Sequence, residues 1–133
     1  MDPLYRETIM DHYQHPRHKG ELTCPTVRQH DANPLCGDDL TLDLEIDSEG
    51  LIRACTFHGH GCAISQAAAD MLCAEIMNRP AREILAMSKE EMLGILGIPL
   101  GPVRLKCALL AYKILKMALV KHLGQEGGSI DET

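Results

Sequence analysis

A cysteine and an aspartate stand two apart in Asn33-Pro34-Leu35-Cys36-Gly37-Asp38-Asp39. A thiolate and a carboxylate aimed at one point suit a metal ion or an activated sulfur. Asn-Pro starts turns, and the residue before a proline is held extended. Gly37 opens backbone angles closed to other residues, which lets Cys36 and Asp38 converge. Two more cysteines lie in comparable settings. Cys62 ends His58-Gly59-His60-Gly61-Cys62, where Gly59 and Gly61 make a tight exit from a strand into a helix. Unpaired amides and the positive end of a helix dipole favour a thiolate there. Cys107 falls in about the first turn of the last helix, flanked by Arg104 and Lys106, whose charges also favour a thiolate.

With Asp38, these cysteines make three soft donors and one hard one. Zinc takes four tetrahedral ligands of this kind. Iron–sulfur clusters ordinarily take four thiolates. A carboxylate in one position is a poorer match for that iron and suits a protein that gives its cluster away. No Cys-x-x-Cys is present, and the three cysteines lie 26 and 45 residues apart (62 − 36 and 107 − 62). Spacing alone therefore leaves both a metal centre and bystander cysteines open. Cys62 as an enzymatic nucleophile with His58 or His60 as base is a further reading, but the glycines leave those imidazoles unfixed. A purely structural zinc module is another; it would unfold when stripped of metal.

The elements that must position these residues follow from periodicity. Leu4–Gln14 reads as a first helix ended by His15-Pro16. Leu40, Leu42, Leu44 and Ile46 alternate with polar residues, the period of a half-buried strand. Asp47-Ser48-Glu49-Gly50 is a turn into a returning strand, Leu51–His58. In that strand Leu51, Cys55 and Phe57 share one face with Arg53, and Ile52 and Ala54 the other with Thr56. A helix follows Cys62, with Ser65 as its cap and Cys73 on the flank of its apolar stripe. Two short amphipathic segments, Ala81–Met87 and Ser88–Leu96, are expected to cover the sheet; Ser88-Lys89-Glu90-Glu91 has the shape of a capping box. The last helix spans about Val103–Leu123, with Leu105, Leu109, Tyr112, Leu115 and Leu119 as its buried stripe and Cys107 off that line. Cys24 (loop), Cys55 and Cys73 read as bystanders or packing residues. His12, His15 and His18 read as solvated, because Pro16 breaks the geometry between them.

The totals bound the function classes. The 133 residues suit one domain, expected over 1–126 with a loose acidic tail at 127–133. Thirteen Lys and Arg against 19 Asp and Glu give a net charge of −6, which argues against general nucleic-acid binding. No apolar stretch approaches the roughly 20 residues of a membrane span. Met1–His18 has no apolar core of a secretory signal, and six cysteines without one point to reduced thiols and a cytoplasmic protein.

Asn33-Pro34-Leu35-Cys36-Gly37-Asp38 resembles the Asn-Pro-x-Cys-Gly-Asp signature of the IscU/NifU/SufU family of iron–sulfur assembly proteins. Phe57-His58-Gly59-His60-Gly61-Cys62-Ala63-Ile64-Ser65 resembles the family's second motif, and Val103–Ala111, around Cys107, its third. Leu4-Tyr5-Arg6 through Asp11-His12-Tyr13 to Pro16-Arg17 resembles its first helix, so the likeness spans nearly the whole chain. The resemblance implies an α+β fold of the SufE/IscU-like kind: a small three-stranded antiparallel sheet with helices packed on it and the three Cys motifs at one end. It implies that Cys36, Asp38, Cys62 and Cys107 bind Zn²⁺, Fe²⁺ or a transient [2Fe–2S] cluster. It further implies that one of these thiols accepts sulfur from a cysteine desulfurase and that the cluster passes to apo-proteins. Gly37, Gly59, Gly61, Arg104 and Lys106 would support the site.

Two branches of the family remain open. The IscU branch has a His where this chain has Lys106, and Arg104-x-Lys106-Cys107 is SufU-like. The 45-residue interval before Cys107 is close to the shorter, IscU-like length. An assembly scaffold and a zinc-dependent sulfur acceptor therefore both fit. Leu100-Gly101-Pro102-Val103-Arg104 resembles the segment that IscU proteins offer to an Hsp70-type chaperone, but Gly101 departs from it and argues against that partner.

Overall fold

Leu40, Leu42 and Leu44 are wholly buried, as their alternation with polar neighbours requires. They lie on the middle strand of the sheet in a computed structural model that describes residues 3–34, 37–97 and 100–125. Its elements are α1 (Pro3–Gln14), β1 (Val27–Asn33), β2 (Asp38–Ile46), β3 (Ile52–His60), α2 (Ala63–Ile76), α3 (Ala81–Leu85), α4 (Lys89–Leu96) and α5 (Pro102–Gln125). The sheet is antiparallel in the order β1-β2-β3, with Asn33 opposite Asp38 and Asp39 opposite His60. The expected α+β architecture is the one observed. The acidic tail lies outside the described residues.

β1 has no apolar alternation to announce it. Beyond Val27, its better-covered positions are Gln29, Asp31 and Asn33. α5 packs on this strand, and Lys113 meets Asp31 at 2.9 Å, so polar residues serve where aliphatic ones would mark a strand. The β2–β3 turn is held by Asp47, whose Oδ1 accepts from the Glu49 and Leu51 amides at 2.9 and 3.0 Å.

A bulge corrects the expected faces of β3. Glu45 pairs with Ala54 and Ile46 with Ile52, leaving Arg53 as the extra residue. Ile52 therefore points inward together with Cys55 and Phe57, all three buried. Arg53 turns out to Asp47 and Asn78, at 2.8 and 2.9 Å.

The helices close the core from one side of the sheet. α2 packs on α1, β3 and α5. Its alanines Ala67, Ala68 and Ala69 are buried, which lets neighbouring backbones come close. Ser88 and Glu91 form the capping box of α4, with both hydrogen bonds in place at 3.1 and 3.2 Å. α3 and α4 pack chiefly on α5 and α2, not on the sheet as expected, and bury Ile84 and Met92 there. α5 is rotated from the expected stripe. Cys107, Ala108, Ala111, Ile114, Leu115, Ala118 and Leu119 are buried, while Leu105, Leu109 and Tyr112 are half-buried. Cys107 thus lies on the inward face.

His12 is a second correction. Its Nδ1 lies 2.6 Å from Asp70 Oδ2, and Asp70 Oδ1 accepts from the amides of Arg17 and His18 at 2.8 Å each. Asp70 is fully buried on α2, so these bonds moor the end of α1.

Candidate metal centre

Asp38 opens β2 directly after Gly37, whose φ of +70° is one that L side chains rarely adopt. The Asp38 side chain is buried, and its Oδ1 accepts from the Cys62 amide at 2.8 Å. That bond joins the start of β2 to the turn between β3 and α2. Cys62 is itself the N-cap of α2: its Sγ accepts from the Ser65 amide at 3.4 Å. Ser65, expected as the cap, is instead buried one turn in, and its hydroxyl donates to the Cys62 carbonyl at 3.1 Å.

The two glycines before Cys62 are required by close approach. A Cβ on Gly61 would stand 2.5 Å from Ser65 Oγ and 2.6 Å from Asp38 Oδ1. A Cβ on Gly59, at φ +123°, would stand 2.1 Å from the Asp39 carbonyl oxygen. Gly59 lies within β3 opposite Leu40, so it serves the strand contact rather than a turn.

Cys107 comes from α5 and completes a cluster. One ligand atom from each of Asp38, Cys62 and Cys107 lies within 4.8 Å of the other two. A tetrahedral site with bonds of about 2.3 Å has edges of roughly 3.7 Å, so small side-chain rotations suffice to close on an ion. Two thiols and a carboxylate from three different elements are the donor chemistry of zinc or of a ferrous centre. Cys36, the expected fourth donor, lies outside the described residues; the Asn33–Asp38 pair closes the strands on either side of it.

The cations separate. Arg104 lines a cavity of about 380 Å³ together with Cys62, Cys107, Ile9, Met10 and Arg6. Lys106 lines a different one of about 460 Å³, beside Asn33 and Pro34. Sequence reasoning did not single out Arg6; its signal was its place in the first-helix motif. His58 Nε2 lies 3.7 Å from Asp43 Oδ2 and makes no hydrogen bond there. His60 and Cys24 are exposed, and Cys55 and Cys73 are buried away from the cluster's donor set.

Comparison with known proteins identifies the family of the chain. A family model described as the NifU-like N terminal domain matches residues 4–128. The zinc-dependent sulfurtransferase SufU of Bacillus subtilis (strain 168) is 35% identical, with 97% of this chain and 96% of that protein aligned. The iron–sulfur cluster assembly scaffold protein IscU of Thermotoga maritima is 32% identical over 89% of this chain and 94% of its own. Among solved structures, a candidate iron–sulfur cluster assembly scaffold for the SUF system of Fervidobacterium islandicum AW-1 superposes with a TM-score of 0.73. It is 27% identical and covers 85% of this chain and 94% of that one. An N-terminal NifU-like protein from Brucella abortus, 20% identical, shares the fold with a TM-score of 0.72. The chain belongs to the NifU-like N-terminal domain family, whose members include iron–sulfur cluster assembly scaffolds.

Proposed function

We propose that this protein is an assembly scaffold that receives iron and sulfur, holds them as a transient [2Fe–2S] cluster on Cys36, Asp38, Cys62 and Cys107, and passes the cluster to apo-proteins. The observation that carries the reading is the convergence of Asp38, Cys62 and Cys107 from β2, the α2 cap and α5. Their chemistry suits a labile cargo: sulfur donors bind iron firmly, and the carboxylate binds it less so. A cysteine desulfurase would be the sulfur source, with one of the three thiols as acceptor. The cytoplasm would be the setting; among the described residues no helix is long and apolar enough to cross a membrane.

A second reading is a zinc-dependent sulfur acceptor, and the placement of the two cations favours it. Lys106 lines the cavity beside Asn33 and Pro34, and an ammonium is no metal ligand. Arg104 stands with both thiols, where a guanidinium can pair with an incoming anionic sulfur. In that case the ligands hold Zn²⁺, which keeps the thiolates deprotonated until sulfur arrives.

Anaerobic reconstitution with a cysteine desulfurase, cysteine and Fe²⁺, from zinc-loaded and from metal-free protein, tests the proposal. Stoichiometric iron and sulfide replacing zinc, with a visible cluster spectrum, is the expected result. Retained zinc, no cluster and faster desulfurase turnover would overturn the scaffold in favour of the sulfur acceptor.

A further inference from the structure

Cys55 and Cys73 place their sulfurs 3.0 Å apart in the interior. Cys55 is on the inward face of β3 and is 1% exposed; Cys73 is on α2 and fully buried. At that distance one thiol donates a hydrogen bond to the other sulfur. The only group of three or more metal-ligating side chains among the described residues is the Asp38 cluster, so this pair has no third donor and is not a metal site. Burial, the neighbouring Cys55 thiol and the Asp70 charge push the Cys73 thiol well up, so it rests protonated. The chemistry left to two facing thiols is oxidation.

We propose that Cys55 and Cys73 form an internal disulfide when the protein meets hydrogen peroxide. One thiol, losing its proton, attacks a peroxide oxygen; the O–O bond breaks, and a sulfenic acid and water result. The second sulfur attacks that sulfenic sulfur. The S–S bond forms, the S–O bond breaks, and hydroxide leaves with the second thiol's proton as the second water. Two thiols lose two electrons and two protons, and one peroxide becomes two waters. Closure from 3.0 Å to the about 2.05 Å of a disulfide needs only a small shift. Because burial keeps the Cys73 thiol protonated, the reaction is slow in the closed fold and speeds with local opening of α2 from β3.

The bridge would act on the element that presents the metal centre. Its two ends are 18 residues apart and enclose the Gly59–Cys62 segment. It ties the middle of β3 to α2 about three turns beyond the Cys62 cap, leaves the site thiols out of the bond, and raises stability by constraining the unfolded chain.

The test treats the zinc-loaded, full-length protein with hydrogen peroxide, then unfolds it in an alkylating reagent. Cleavage before Asp70 separates Cys55 from Cys73, and fragmentation distinguishes Cys55 from Cys62 on the same peptide. The expected result is a Cys55–Cys73 link and a melting temperature several degrees above that of the reduced protein, both reversed by dithiothreitol. Recovery of both cysteines alkylated, or a link from Cys73 to Cys62 or Cys107, would overturn the proposal. Cys55→Ala should lose the melting shift; a shift of the same size in that variant would also overturn it. If Cys55→Ala does not fold, the peptide map on the unaltered chain decides alone.

Discussion

The Cys62 amide donates to Asp38 Oδ1 at 2.8 Å, so one carboxylate holds the cap of α2 with one oxygen and leaves the other facing the Cys62 thiol. Asp38 Oδ2 lies 4.0 Å from Cys62 Sγ. The two roles are separable. Asp38→Asn keeps an oxygen that can accept the Cys62 amide but removes the charge, whereas Asp38→Ala removes both. Asp38→Asn should keep a near-native melting temperature and bind Zn²⁺ less tightly. Asp38→Ala should in addition lose stability, about 1–3 kcal/mol for a buried donor left unpaired. In the scaffold reading Asp38→Ala should pass its cluster to an acceptor more slowly, because the mismatched ligand is gone. Transfer rates equal to or faster than native would remove lability from the role of Asp38.

Gly61→Ala should damage the site more than its size suggests. The added methyl would press on Ser65 Oγ and Asp38 Oδ1 at once. Relief requires moving the carboxylate or the first turn of α2, at about 1–3 kcal/mol. Zinc affinity should fall severalfold. Gly101→Ala, with open space around its Cβ, is the control and should leave affinity unchanged.

Serine scanning should divide the cysteines into two sets. Cys36→Ser, Cys62→Ser and Cys107→Ser should each lose most of the bound metal. Cys24→Ser should keep it, since Cys24 is exposed in the segment before β1. Metal content per chain, measured on folded protein, reads the outcome. Full retention by Cys107→Ser would break the four-ligand site.

Stability should carry an acid limb from Asp43. Burial alone would raise that carboxyl, but the Arg28 guanidinium, bonded at 2.7 and 3.0 Å, and the Leu22 amide at 3.0 Å outweigh it and hold it below the ordinary value. The unfolded carboxyl titrates near about 3.9. Below that pH the unfolded chain binds a proton that the folded one does not. The contribution is therefore complete above about pH 4 and is lost as pH falls through the folded value. Asp43→Asn should melt lower at neutral pH and lose less on acidification below pH 4. An unchanged acid slope would exclude Asp43 as a source of it.

Local patterns were enough for what depends on neighbours in the chain. The alternation from Leu40 to Ile46, the Ser88–Glu91 capping box, and the placing of Cys62 at a helix start and Asp38 beside Gly37 are short-range consequences of side-chain period and backbone freedom. These, with the three Cys motifs, were legible before any contact was known. Packing decided the rest. Arg53 had to bulge out for Ile52 and Cys55 to share the core, and no period announces an inserted residue. β1 is a strand because it pairs with β2 beneath α5, although Gln29, Asp31 and Asn33 are polar. α5 has apolar residues on several sides, so its own sequence allowed more than one buried stripe; the alanines that let it approach its neighbours turned Cys107 inward. The Asp70 bond to His12 and the Cys55–Cys73 contact join residues 58 and 18 apart. Such pairs are chosen by which surfaces exclude water together, and that is a property of the folded chain.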